Sequence, residues 1–253
     1  MTTPLHDRTI AIQKSIETGQ LQPLSWFDSR TYIQHNPLLG NGFASLLAFL
    51  DSLPRGTSRV HAHRAFTDGN ISVAHLEYHL APMGHLAGFE VHRWEDDRIV
   101  EHWDNLQPIP ADAPGDTTGS MFDGATEVVD QHLTDQNKEL VGDFVRSVLI
   151  GGRVEALDSF VDGSDYRDHH PARGDRPEAI VADITAGRSI HQHLHRVLGD
   201  GNFVLTMSEG LADGAPAAFY DLFRVAGGRI VEHWDVIETL PPRDQWANDN
   251  GKF

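Results

Sequence analysis

A seven-residue segment, Arg-Ile-Val-Glu-His-Trp-Asp, occurs twice, at Arg98–Asp104 and at Arg229–Asp235, 131 positions apart in a chain of 253 residues. A period of that length is a whole domain, far beyond the roughly 20 to 50 residues of solenoid repeats. Each half is therefore expected to carry its own core and pocket. Further landmarks recur in the same order. Tyr32-Ile-Gln-His35-Asn36-Pro37 matches Tyr166-Arg-Asp-His169-His170-Pro171. His61-Ala-His63-Arg64 before Asp68-Gly69-Asn70 matches His193-Leu-His195-Arg196 before Asp200-Gly201-Asn202. Together these place a first copy over 1–110, a linker rich in Pro, Gly, Asp and Thr over 111–130, and a second copy over 131–253.

Both copies read as helices followed by strands. Apolar spacing predicts helices over Ile10–Thr18, Phe43–Leu53, Gln136–Leu149 and Pro177–Ala186. Strands are expected near Ser58–Phe66, Ile71–His79, Gly88–Glu95 and Arg98–Gln107, joined by turns whose Asp, Asn and Gly tolerate positive φ. Helices first and an antiparallel meander afterwards indicate an α+β class.

The net charge of -17, with lysine only at positions 14, 138 and 252, argues against nucleic acid or an anionic membrane surface as partner. The chain has no cysteine, which excludes disulfides, thiolate metal sites and a cysteine nucleophile. No apolar run approaches the roughly 20 residues of a membrane span, and Met1–Arg8 lacks the apolar stretch of a signal peptide. A cytoplasmic location is the expectation. Phosphate-binding loops, dinucleotide fingerprints and Gly-x-Ser-x-Gly elbows are absent from the sequence.

Tyr-Ile-Gln-His-Asn-Pro, then His-Arg with Asp-Gly-Asn, then Arg-Ile-Val-Glu-His-Trp-Asp resembles the SnoaL-like polyketide cyclases of the nuclear transport factor two-like superfamily. The resemblance covers nearly the whole chain as two copies. It implies two tandem cone-shaped barrels, each a curved antiparallel sheet wrapped around helices and enclosing an apolar pocket. It further implies cofactor-independent acid/base chemistry in which an aspartate moves a proton while nearby histidine or asparagine binds oxygens. Members of the superfamily catalyse several reactions and some only bind, so the fold alone leaves the reaction open.

Alternation along a strand puts His102 on the same face as Asp104, and His233 on the same face as Asp235. A carboxylate in an apolar pocket is well placed to take and return a proton. Asp104 and Asp235 are therefore the candidate catalytic residues. His35, Asn36, His63, His75 and His102, with His169, His170, His195 and His233, are the candidate substrate-binding residues. Structural readings compete with these roles: a histidine tautomer fixed by a neighbouring carboxylate, or a turn capping the following helix. Arg93 and Arg224 read more simply as partners of acids on a neighbouring strand.

His61 with His63, and His75 with Glu77 and His79, share strand faces in a pattern that suits a metal. The second copy keeps His195 and Glu209 but has Met207 and Leu211 where the first has His75 and His79. A metal shared by both copies as the catalytic engine would demand the same ligands in each, so no metal or cofactor is expected. The resulting expectation is a cofactor-independent enzyme acting on a small apolar carbonyl-bearing molecule by aldol-type cyclisation, isomerisation or a related lyase or hydrolase step. The alternatives are a non-catalytic small-molecule-binding or assembly module, and a metal-dependent enzyme using the first-half histidines. Assembly of the two copies as an internal pseudo-dimer, with further pairing into a homodimer, completes the expectation.

Overall fold

A computed structural model describes residues 3–54, 56–109 and 121–253. The chain divides into two compact units. In the first, helix α1 (Leu5–Thr18) and helix α2 (Phe43–Ser52) accompany strands β1 (Ile33–Gln34), β2 (Arg59–Asp68), β3 (Ile71–Leu80), β4 (Gly84–Glu95) and β5 (Arg98–Pro108). In the second, α3 (Thr134–Phe144, continued by a wider turn over Val145–Ile150) and α4 (Pro177–Ala186) accompany β6 (Arg167–Asp168), β7 (Ser189–Asp200), β8 (Phe203–Ala212), β9 (Ala215–Ala226) and β10 (Arg229–Thr239).

Each unit is α+β, and the two sheets have one topology. Their orders are β1-β5-β4-β3-β2 and β6-β10-β9-β8-β7, with the short first strand parallel to the last and all other pairs antiparallel. The repeated segments are the last strands. Trp103 and Trp234 in them are completely buried. Hairpin turns fall where expected: Asp96 and Asp97, and Gly227 and Gly228, all have positive φ.

Strand alternation sets two faces. On β3 to β5 of the first unit, Tyr78, Leu80, Glu90, His92, His102, Asp104 and Leu106 face the helices and line a cavity there. Residues of opposite parity, among them Glu77, Phe89, Glu101 and Trp103, take the outer face. Pairing shifts interrupt this simple rule between Ala62 and Arg64, between His191 and His193, and between Leu194 and Arg196. Each is a β-bulge, which resets which side chains point inward.

The cores differ. Ile12, Leu24, Phe27, Tyr32, Leu46, Trp94 and Ile99 form one cluster in the first unit, and Val60, Leu76, Tyr78, Leu80 and Leu86 another. In the second unit a cluster runs from Val141 and Phe144 through Ile180 to Phe223 and Ile230.

Unit membership departs from a simple division of the chain at the linker. Residues 241–253, which follow the last strand of the second copy, belong to the first unit. There Asn248 Nδ2 donates to the carbonyls of Asn36 and Leu39, both at 2.8 Å, and Asn250 Nδ2 donates to that of Gln34. Residues 121–124 belong to the second unit, where the Asp123 carbonyl accepts from Trp234 Nε1 at 2.9 Å. Gly124 has φ +93, and a Cβ there would sit 2.5 Å from Glu232 Oε1, so only glycine fits. Residues 111–120 of the expected linker lie outside the described residues. Among the described residues, no helix is long and apolar enough to cross a membrane.

Candidate functional site

The cavity of the first unit measures about 360 Å³. Its walls are largely apolar, from Ile12, Ile16, Leu24, Phe27, Leu39, Leu46, Phe49, Leu50, Leu80 and Leu106. Polar groups converge on one side. Asp104 Oδ2 accepts from Asn36 Nδ2 at 2.7 Å. Asp104 Oδ1 is buried without a hydrogen-bond partner, and Lys252 Nζ stands 3.7 Å from it while donating to the Asp104 carbonyl at 2.8 Å.

Beside Asp104, His102 Nε2 donates to Glu90 Oε2 at 2.6 Å, and the His102 Nδ1 lies 3.1 Å from the Tyr32 hydroxyl. Glu90 also accepts from Gln13 Nε2 at 3.0 Å and from the Tyr78 hydroxyl at 2.8 Å. Burial raises the Glu90 carboxyl above its ordinary range, an effect only partly offset by His102. Burial alone would lower His102, but the Glu90 carboxylate outweighs it and the imidazole is raised. Each group therefore holds its proton more tightly than it would in water. His92, stacked on His102 with ring centroids 4.7 Å apart, is pushed well below its ordinary value by burial and then by His102, so it is neutral.

The equivalent space in the second unit is almost closed, at about 20 Å³. That is room for about one water. Arg173, at the place of Leu39, fills it. Its guanidinium donates to Asp168 at 3.0 Å, to Asp183 at 2.8 Å and to Asp235 at 3.1 Å. Asp183 stands at the place of Phe49, and Phe223 and Phe219 at those of His92 and Gly88. His191 enters on the inner face because of the bulge beside it, and donates to Asp221 at 3.1 Å. His233 donates to the same carboxylate at 3.0 Å. Burial alone would lower His233, yet Asp168 and Asp221 push it up to about 10. Asp221 is depressed far below its ordinary range because these two histidines outweigh the effect of burial. This is a fixed ionic network.

Of the sequence-derived candidates, Asp104, Asn36 and His102 meet at the first cavity, and His233 and Asp235 line the small second one. The others are placed elsewhere. His35 bonds Glu101 at 2.9 Å and stacks on Trp103, and His169 stacks likewise on Trp234. These rings share the outer-face position of the glutamate and tryptophan, on the side opposite Asp104. His63 bonds Glu77 at 3.0 Å, and His75 stacks on Phe89. His170 accepts from the Ala172 amide, and His195 lies 3.5 Å from Glu209. Arg93 and Arg224 pair with Glu101 and Glu232 across adjacent strands.

Glu90, Gln13, Tyr78, His92 and Lys252 join the site without having been singled out for it. Glu90 was legible in part: it has the same parity as the inward His92, and Asp221 replaces it in the other copy. Gln13 and Lys252 come from a helix and a tail with no strand pattern to orient them.

Two buried groups have metal-like compositions: Glu90, His92 and His102, and Asp221, His233 and Asp235, each with ligand-capable atoms within 4.8 Å of one another. The first already spends its carboxylate on Gln13, Tyr78 and His102. The second faces the Arg173 cation, which opposes a metal ion.

No protein-family model matches the chain, and no curated protein sequence matches it. Solved structures similar to parts of it include IdmH, a putative polyketide cyclase from Streptomyces antibioticus, at 18% identity over 44% of this chain and 97% of that one, TM-score 0.36. An NTF-2 like protein of unknown function from Burkholderia xenovorans aligns at 16% identity over 47% and 99%, TM-score 0.38. An LEH-like epoxide hydrolase from M. tuberculosis aligns at 19% identity over 42% and 84%, TM-score 0.33.

Proposed function

We propose that the protein is a cofactor-independent acid/base enzyme of SnoaL-like type whose chemistry is confined to the first unit. The carrying observation is Asp104. One of its oxygens is held by Asn36, and the other is buried without a hydrogen-bond partner in a residue that lines an apolar cavity of about 360 Å³. A carboxylate held in one orientation and shielded from water is suited to remove a proton from carbon next to a carbonyl.

The Glu90–His102 pair supplies the complementary acid. It holds a proton a short distance along the same inner face, from which a developing enolate oxygen is stabilised by hydrogen bonding. Tyr78 and Gln13 orient Glu90, and Tyr32 orients His102. Cavity size and lining fit a small, mainly apolar, carbonyl-bearing substrate, with aldol-type cyclisation or isomerisation as the reaction class. In the second unit Arg173 occupies the space a substrate would need, so Asp235 serves packing and charge balance there.

A screen of small aromatic and alicyclic ketones against wild type, Asp104→Asn and Asp235→Asn tests this reading. Turnover is expected in wild type and Asp235→Asn, and loss of turnover with retained binding in Asp104→Asn. Full turnover by Asp104→Asn would remove Asp104 as the base. Binding without turnover in every variant would instead support a non-catalytic binding module, the reading favoured by the closure of the second pocket after duplication.

A further inference from the structure

On the outer face of the first sheet, away from the cavity, the Nε2 atoms of three histidines from three adjacent strands aim at a single carboxylate. His63 on β2 lies 3.0 Å from Glu77 Oε2. His85 on β4 lies 2.8 Å from Glu77 Oε1, and His79 on β3 lies 3.4 Å from the same oxygen. We propose that Glu77, His79 and His85 form a binding site for a borderline-soft divalent metal ion of the zinc class, with His63 orienting the carboxylate.

The geometry suits such an ion without large movement. His79 and His85 are directly paired across β3 and β4, and their rings stack with centroids 4.1 Å apart and planes 14° apart. Their ligand-capable nitrogens and a Glu77 oxygen all lie within 4.8 Å of one another. Metal–donor bonds of about 2.0 to 2.2 Å in a tetrahedral site place donors roughly 3.4 Å apart, close to the separations already present. Three protein ligands leave one position for water. His63, bonded to the other carboxylate oxygen, is placed as the outer partner that fixes the ligand's orientation.

The site is reachable: the side chains of His79, Glu77 and His85 are 53%, 23% and 27% exposed. Imidazole and carboxylate donors favour zinc and its neighbours over magnesium or calcium, which prefer all-oxygen sets. A chain of net charge -17 also raises the local concentration of cations.

The second copy is a natural control. It keeps His195 and Glu209, but Leu211 and Pro216 occupy the paired positions of His79 and His85. Two of the three ligands are therefore particular to the first unit, the one with the open cavity. Only Leu80, Ala81, Pro82, Met83 and Gly84 lie between them, and Leu80 and Met83 line that cavity. An ion joining His79 to His85 would clip this hairpin and stiffen the wall it forms. This role is separate from the acid/base chemistry of Asp104, so either proposal stands if the other fails.

Calorimetric titration of the untagged, chelator-treated full chain with zinc chloride tests the site, and cobalt(II) absorption reports its geometry. One ion per chain is expected, with a tetrahedral cobalt spectrum. His63→Ala should weaken binding about tenfold, as loss of an outer partner does. Glu77→Gln and His85→Ala should weaken it further, and Glu209→Gln should leave it unchanged. Absence of zinc binding by the folded wild type overturns the proposal. So does binding that survives Glu77→Gln and His85→Ala but is lost in Glu90→Gln, which would place the ion in the buried pair instead.

Discussion

The Arg173 guanidinium lies 3.1 Å from Asp235, whereas Leu39, at the corresponding place in the first unit, leaves Asp104 facing an open cavity. Arg173 in place of Leu39, together with Asp183 in place of Phe49 and Phe223 in place of His92, separates the two sites. Replacing Arg173 alone should be costly, because Asp168, Asp183 and Asp235 would lose a shared buried cation. Arg173→Leu is expected to destabilise the second unit by roughly 3 to 5 kcal/mol in urea unfolding. Adding Asp183→Phe and Asp168→Gln, the residues of the first copy, should recover most of that loss. If the single change is neutral, the guanidinium is not the keystone of the network.

The same network makes the second unit sensitive to pH in a defined direction. Unfolded His233 titrates near ~6.5, whereas in the fold it is pushed up to about 10. Its stabilising contribution is therefore complete below ~6.5 and is lost as pH rises through about 10. On the outer face, apart from that network, burial alone would raise Glu232, but His169 and Arg224 lower it from 4.5 to about 2, so its contribution is present above 4.5 and lost as pH falls through about 2. Unfolding free energies across this range should show a plateau between the two limbs. His233→Gln should flatten the alkaline limb; an equally steep limb in that variant would assign it to other groups.

The plug should be transferable. Leu39→Arg combined with Phe49→Asp places an ion pair where the first cavity now has apolar wall, and supplies Asp104 with a direct counter-charge. A folded protein that no longer takes up the ketones bound by wild type is expected, measured by equilibrium binding. Unchanged affinity would show that ligands bind elsewhere.

Asn248 ties the C-terminal segment to the pocket rim through the carbonyls of Asn36, which holds Asp104, and of Leu39, which lines the cavity. Asn248→Ala removes a donor from both carbonyls and leaves that of Asn36, a buried residue, with the Leu39 amide at 3.2 Å. A cost of about 1 to 3 kcal/mol to the first unit is expected, together with weaker ligand binding. Stability loss confined to the second unit would contradict the assignment of this segment to the first.

Much of the architecture was readable from residues alone. Strands β3 and β5 and helices α2 and α4 begin or end within a residue or so of the expected positions, because alternation, proline at a helix start and Asp-Gly turns are local signals. The pairing of His102 and Asp104 on one face followed from parity. Parity does not foresee His191, where a bulge turns the ring inward, and it carries no information for His35, which follows the two-residue parallel strand Ile33–Gln34. Arg173 gave no warning either, since a mouth segment lacks the periodicity that would aim a side chain.

The amino-acid sequence by itself determined a duplicated α+β fold, with an inward histidine and aspartate closing each copy, because these properties rest on repeat spacing and strand alternation. Only tertiary structure decided that one pocket is open and the other filled, that Glu90 and Lys252 join Asp104, and that the last residues of the chain complete the first unit. Those outcomes depend on side-chain volume, bulge placement and contacts between residues more than a hundred positions apart, such as Lys252 with Asp104, none of which leaves a local pattern.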